Sequence, residues 1–182
     1  SAEDSIRRAE EEARRLIKRA EEEAEKSARR HKELNERARK RAKESAEEAE
    51  KLIREAARSG RVDKKELDKA AEEAKRAIED SERDLERAAK EDRESIEESK
   101  KDLERAAKEL REVIEDLKRA AKEGADARDL EEKAKKALEK AERIARKNAE
   151  DNERNLEKSK RIAERNAKKN EEALREIAKK AN

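Results

Sequence analysis

The chain has no cysteine, proline, methionine, phenylalanine, tyrosine or tryptophan, and only two glycines among 182 residues. Without cysteine there can be no disulfide, no thiol nucleophile and no thiolate metal site. Without aromatic rings there is no platform on which nucleic-acid bases could stack. Charge of one sign is also missing: 54 basic and 52 acidic side chains leave a net charge of +2. No broad field is therefore available to recruit nucleic acid or an anionic membrane. No apolar run approaches the ~20 residues that span a bilayer. The opening residues Ser1-Ala2-Glu3-Asp4 are already acidic, so no signal peptide is expected. A soluble protein is expected, and the compartment is left open.

What is present is charge and alanine. Charged residues make up 58% of the chain and hydrophobic ones 31%. That balance would suit a disordered chain if it were unpatterned. Here the apolar residues recur with helical spacing, and a chain drawn largely from Ala, Glu, Lys, Leu and Arg with such spacing belongs to long helices or coiled coils.

The two glycines mark the only evident breaks. Gly60 suits the left-handed residue that closes a helix. Beyond it, Asp63 is a good N-cap, and Glu66 three residues later completes a capping-box pattern. Gly124 followed by Asp126 repeats the arrangement. Three helices are expected, over about 3–59, 64–123 and 127–181, each roughly 85 Å long. Short loops make successive helices antiparallel neighbours. The expected fold is all-α: one up-down-up antiparallel three-helix bundle over residues 1–182.

The period refines this expectation. Leu16, Leu34 and Leu52 are 18 residues apart, as are Leu67, Leu85 and Leu103, Ile78, Ile96 and Ile114, and Leu138, Leu156 and Leu174. Eighteen residues are five turns of about 3.6, so each stripe runs along its helix axis and the helices should be nearly straight. A heptad from Ala134 through Ala141, Asn148, Asn155 and Ile162 fails at Lys169. Each helix has one apolar arc and no second one, which leaves no evident surface for a lipid or a partner. The middle helix is the acidic one: residues 60–124 hold 22 acidic and 18 basic side chains, against 16 and 18 before them and 14 and 18 after them. Interhelical pairing would favour that order, although exposed pairs contribute only ~0.2–1 kcal/mol each.

Polar residues interrupt the stripes. Asn148, Asn152, Asn155, Ser159, Asn166 and Asn170 lie on the same side of the third helix as Leu138, Ile144, Leu156, Ile162, Leu174 and Ile177. Antiparallel pairing makes facing positions sum to roughly 122 for the first two helices and roughly 250 for the last two. His31, the only histidine, then faces Asp92, and Asp92 faces Ser159. Ser27, Asn35, Ser95, Ser99, Asn152 and Asn155 fall within about two turns of that level. A second layer collects Ser45, Ser81, Asn166 and Asn170 by the same rule.

Ser, His and Asp at one level invite a catalytic-triad reading. Helical N–H groups are already bonded, so no oxyanion hole exists, and Leu34, Leu85 and Leu156 leave no evident cleft. A metal at His31 and Asp92 would have two mixed ligands only. Catalytic residues, metals and cofactors are therefore not expected. The structural reading is that these groups satisfy one another and fix register, because a shifted helix would strand them against Leu and Ile.

The 18-residue repeats (Leu67-Asp68-Lys69-Ala70-Ala71 against Leu85-Glu86-Arg87-Ala88-Ala89 and Leu103-Glu104-Arg105-Ala106-Ala107), the two capped glycine loops and the layered Asn, Ser, His and Asp positions resemble parametrically designed helical bundles made de novo. The resemblance covers the whole chain. It implies an idealised backbone with modular hydrogen-bond networks and no natural substrate. Three readings follow. The first is a monomeric structural scaffold. The second is an interaction module that joins copies of itself or a partner helix through its Asn- and Ala-rich seam, which would show as a concentration-dependent mass. The third is a natural charged rod or disordered chain, against which the in-register repeats and capped loops argue.

Overall fold

The computed structural model describes residues 1–181; Asn182, the last residue of the expected bundle, lies outside the described residues. Three α-helices account for nearly all of it: α1 (Ala2–Ser59), α2 (Lys64–Lys122) and α3 (Ala127–Ala181). Their ends fall within about a residue of the expected bounds, inside the usual scatter of helix termini. No proline interrupts them, and most positions carry strong helix formers. The protein is all-α, with the three long helices packing against one another.

Both loops turn at their glycines, as expected. Gly60 has φ +64° and Gly124 has φ +86°, and no other described residue takes a positive φ. After α1, Ser59 Oγ donates to the Ala56 carbonyl at 2.8 Å and accepts from the Arg61 N–H at 3.3 Å. The carbonyl of Asp63 takes the first bond of α2, from Leu67 N–H at 3.0 Å. At the end of α2, the Gly124 N–H donates to the Ala121 carbonyl at 3.2 Å and the Ala125 N–H to the Ala120 carbonyl at 3.0 Å. These are the paired bonds of a Schellman ending, which needs a left-handed residue at Gly124. Asp126 then caps α3, its Oδ1 accepting from the Arg128 N–H at 3.3 Å.

Contacts along the chain resolve into two compact units. Unit 1 comprises Ser1–Arg29 and Arg93–Arg154, and unit 2 comprises Arg30–Asp92 and Asn155–Asn182. Each unit takes one segment from each helix.

In unit 1 the core holds Ile6, Leu110, Ile114, Leu117 and Leu130, filled in by Ala9, Ala13, Ala134 and Ala141. Leu16, Ile17, Val113 and Leu138 pack against it. Ser5 Oγ donates to Glu131, which sets the starts of α1 and α3 side by side and running the same way. Lys118 Nζ reaches Glu10 Oε1 at 3.1 Å and Glu115 Oε1 at 3.3 Å, joining α2 to α1. Hydrogen bonds to those two carboxylates hold the Lys118 ammonium above its ordinary pKa.

Unit 2 buries large apolar side chains as well. Ile78 and Ile177 cluster with Ala49, Ala70 and Ala74, with Leu52, Ile53 and Leu174 packed alongside, and Leu67, Leu85 and Leu156 are buried in the same unit. Arg41 pairs with Glu171 at 3.2 Å, again placing α1 beside a parallel α3. In both units the segments thus alternate up, down and up.

Among the described residues no large apolar side chain is exposed, in line with one apolar arc per helix. The charge pattern is expressed differently from expectation. Most ion pairs join side chains three or four residues apart on one helix, such as Arg14–Glu10 and Arg154–Asp151. A long side chain reaches a neighbour on its own helix more readily than one across a groove. Exposed pairs between helices include Lys118–Glu10, Lys140–Glu109 and Arg41–Glu171.

A Cβ added at Gly60 or Gly124 would meet nothing within 4 Å. The cost of alanine at either position is then the backbone conformation alone. Gly60→Ala is expected to lower stability by about 1–2 kcal/mol in urea denaturation, and asparagine at the same position by less, since it tolerates the left-handed region better.

Candidate functional site

The residues that stand out from the apolar packing are the polar ones inside it. His31, Ser81, Asp92, Ser99, Asn148, Asn152, Ser159, Asn166 and Asn170 are all buried. Ser27, Asn35, Ser45, Ser95 and Asn155 are half-buried.

The first expected layer divides between the units. Ser27, Ser95, Ser99 and Asn152 belong to unit 1, whereas His31, Asn35, Asp92, Asn155 and Ser159 belong to unit 2.

In unit 2, Ser159 Oγ donates to Asp92 Oδ2 at 2.8 Å. His31 Nε2 stands 4.0 Å from Asp92 Oδ1, outside hydrogen-bond length, with side-chain exposures of 2% and 7%. One carboxylate on α2 is thus addressed by α3 through a short bond and by α1 through an imidazole at longer range. The pairs His31–Asp92 and Asp92–Ser159 lie within about a residue of the expected facing register. The arrangement resembles a triad in composition only. The serine hydroxyl donates to the carboxylate rather than to the imidazole, so the histidine is not placed to take its proton.

In unit 1 two contacts of the layer are neutral. Ser99 Oγ donates to Asn152 Oδ1 at 3.3 Å, and Asn148 Nδ2 donates to the Ser99 backbone carbonyl at 3.3 Å. Asn148 lies on the polar stripe, one turn before Asn152, but the facing rule did not assign it to a layer. That rule pairs side chains at one level, whereas Asn148 reaches a main-chain oxygen about one turn away.

The second expected layer, Ser45, Ser81, Asn166 and Asn170, lies wholly in unit 2. The structure brings Ser81, Asn166 and Asn170 together around one cavity of about 160 Å³, and Ser45 is not among its lining residues. Their mutual satisfaction, expected from the sequence, is not realised. Ser81 Oγ, Asn166 Nδ2 and Asn170 Oδ1 are buried without a hydrogen-bond partner among the protein atoms. The alanines of the surrounding stripe leave space between helices that these short side chains do not bridge.

Among the described residues there is no group of three or more His, Cys, Asp or Glu side chains able to hold a metal ion, and no helix is long and apolar enough to cross a membrane. Comparison of the chain with protein-family models, with curated proteins and with solved structures finds no match.

The two layers should differ in sensitivity. The Ser159–Asp92 bond is short and goes to a carboxylate, whereas the Ser99–Asn152 bond is long. Ser159→Ala is expected to cost about 1–3 kcal/mol, because it leaves a buried acceptor under-satisfied. Ser99→Ala is expected to cost roughly 0.5–1.5 kcal/mol, as for an ordinary neutral bond. Chemical denaturation of the two variants checks both the order and the sizes.

Proposed function

We propose that this chain is a structural scaffold, a helical bundle of de novo design whose buried polar layers specify helix register and packing and which carries no natural biochemical activity. The observation that carries this reading is the Asp92 contact: a carboxylate only 6% exposed, on α2, takes a 2.8 Å hydrogen bond from Ser159 on α3 with His31 of α1 nearby.

The energetic logic runs through what a slip would do. Sliding α3 by about one turn brings Leu156 or Ile162 to the level of Ser159. Asp92 would then be buried against an apolar side chain, at a cost of several kcal/mol. Slipping one alanine past another costs much less, because one small apolar contact replaces another. The polar layer therefore separates the correct register from its neighbours, as polar core positions do in coiled coils. Whether such a layer adds to absolute stability is a different question. Replacing a buried polar set by well-packed apolar residues is often neutral or stabilising.

Replacing the whole layer tests this. His31→Leu, Asp92→Leu and Ser159→Leu combined should leave thermal stability equal or higher but degrade uniqueness, giving broadened or doubled amide resonances. Asp92 with His31→Leu alone should lose roughly 3–5 kcal/mol if the pair is charged, as for a broken buried ion pair. A triple variant with one sharp native-like spectrum would sink the register-fixing role.

The alternative is a module that associates with itself or a partner helix through the Asn- and Ala-rich seam. It has less to draw on, since Asn148, Asn152, Asn166 and Asn170 are all buried within their own units. A monomeric mass across a concentration series of small-angle X-ray scattering is expected; a mass that grows toward a multiple of the chain would favour the module instead.

A further inference from the structure

The second polar layer has no role in the register argument, because its buried groups do not meet. Ser81, Asn166 and Asn170 are 2%, 3% and 2% exposed, and each carries a buried polar atom without a protein partner. All three line the same cavity of about 160 Å³ in unit 2. Leu34 and Leu85 contribute apolar wall, and alanines of α1 and α3 supply the rest. An apolar cavity of about 150 Å³ is large enough to take up benzene. This one differs in having three unsatisfied hydrogen-bonding groups at its lining.

We propose that this cavity is a binding site for a small neutral molecule that joins an apolar body to a primary amide. The chemistry follows from the unpaired atoms. Asn166 Nδ2 is a donor and Asn170 Oδ1 is an acceptor, so an occupant has to accept one bond and donate another. Ser81 Oγ can do either. A primary amide offers a carbonyl and an N–H₂ on one carbon, which matches that pair.

The rim argues for a neutral head. Arg37, Arg41 and Lys160 stand at the edge of the cavity, but each is engaged by its own carboxylate: Glu33 at 4.0 Å, Glu171 at 3.2 Å and Glu157 at 3.4 Å. Glu164 adds a negative charge at the same edge. An anion would find no unengaged cation there. The three unpaired atoms are shielded from solvent as they stand. An occupant engages them by rotation of the Ser81 hydroxymethyl and of the two terminal amide torsions, which are soft.

The test is a titration of the full chain, followed by ¹⁵N-resolved NMR, with benzamide, with its isostere acetophenone and with benzoate. Benzamide at millimolar concentration should shift the side-chain amide signals of Asn166 and Asn170. Acetophenone, which accepts but cannot donate, should bind weaker by on the order of tenfold or more, because it leaves the buried acceptor unpaired. Benzoate should not compete. Ala163→Leu, which fills the space from α3, should abolish the benzamide shifts while circular dichroism keeps its helical signal. Absence of benzamide shifts in the unmodified chain would overturn the proposal, as would equal binding of benzamide and acetophenone, or tighter binding of benzoate.

Discussion

A carboxylate taken out of water must be met by donors or by a positive charge, or the fold that buries it is penalised. Asp92 imposes that condition on unit 2. It is nearly inaccessible on α2, and its requirement is met from α3 by the Ser159 hydroxyl and approached from α1 by the His31 ring. Three helix segments are tied by one group that tolerates little displacement. Many of the unit's core positions are alanines, and alanine surfaces pack nearly as well after a slip as before. Hydrophobic burial supplies the driving force for association, and the directional contact chooses among the ways of associating.

Unit 1 solves the same problem with a different balance. Ile6, Leu110, Ile114, Leu117 and Leu130 form its apolar core. Interlocking side chains of that size distinguish registers by shape. Two of its buried polar contacts are neutral and longer, Ser99 to Asn152 and Asn148 to a main-chain carbonyl. A neutral pair is cheaper to bury than a carboxylate and correspondingly less exacting. Packing contributes to specificity in both units, and in unit 2 a charge-bearing group adds to it.

Ser81, Asn166 and Asn170 show what happens when polar residues are buried without reach. Each is short, and together they line a cavity with three polar atoms left unbonded. Buried polar groups in folded proteins nearly always find a partner. A group that lacks one within the chain is the kind of place where a small molecule has something to gain. The same small side chains that let helices approach leave the room in which an occupant fits.

The helical content, the breaks at Gly60 and Gly124, the start of α2 after Asp63, the cap at Asp126, and the facing of Asp92 with Ser159 were all legible in the residues. Each depends on local chemistry or on a period that repeats every 18 positions. That period places a side chain on a face and at a level to within about one turn, ~5 Å. It also sufficed to place His31 opposite Asp92. It could not say that the imidazole stands 4.0 Å away, that Asn148 bonds a backbone oxygen, or that Ser81, Asn166 and Asn170 line a cavity instead of bonding one another. A hydrogen bond is made or lost over a few tenths of an ångström and some tens of degrees. Those tolerances are finer than any helical period, and they were decided only when the three helices packed.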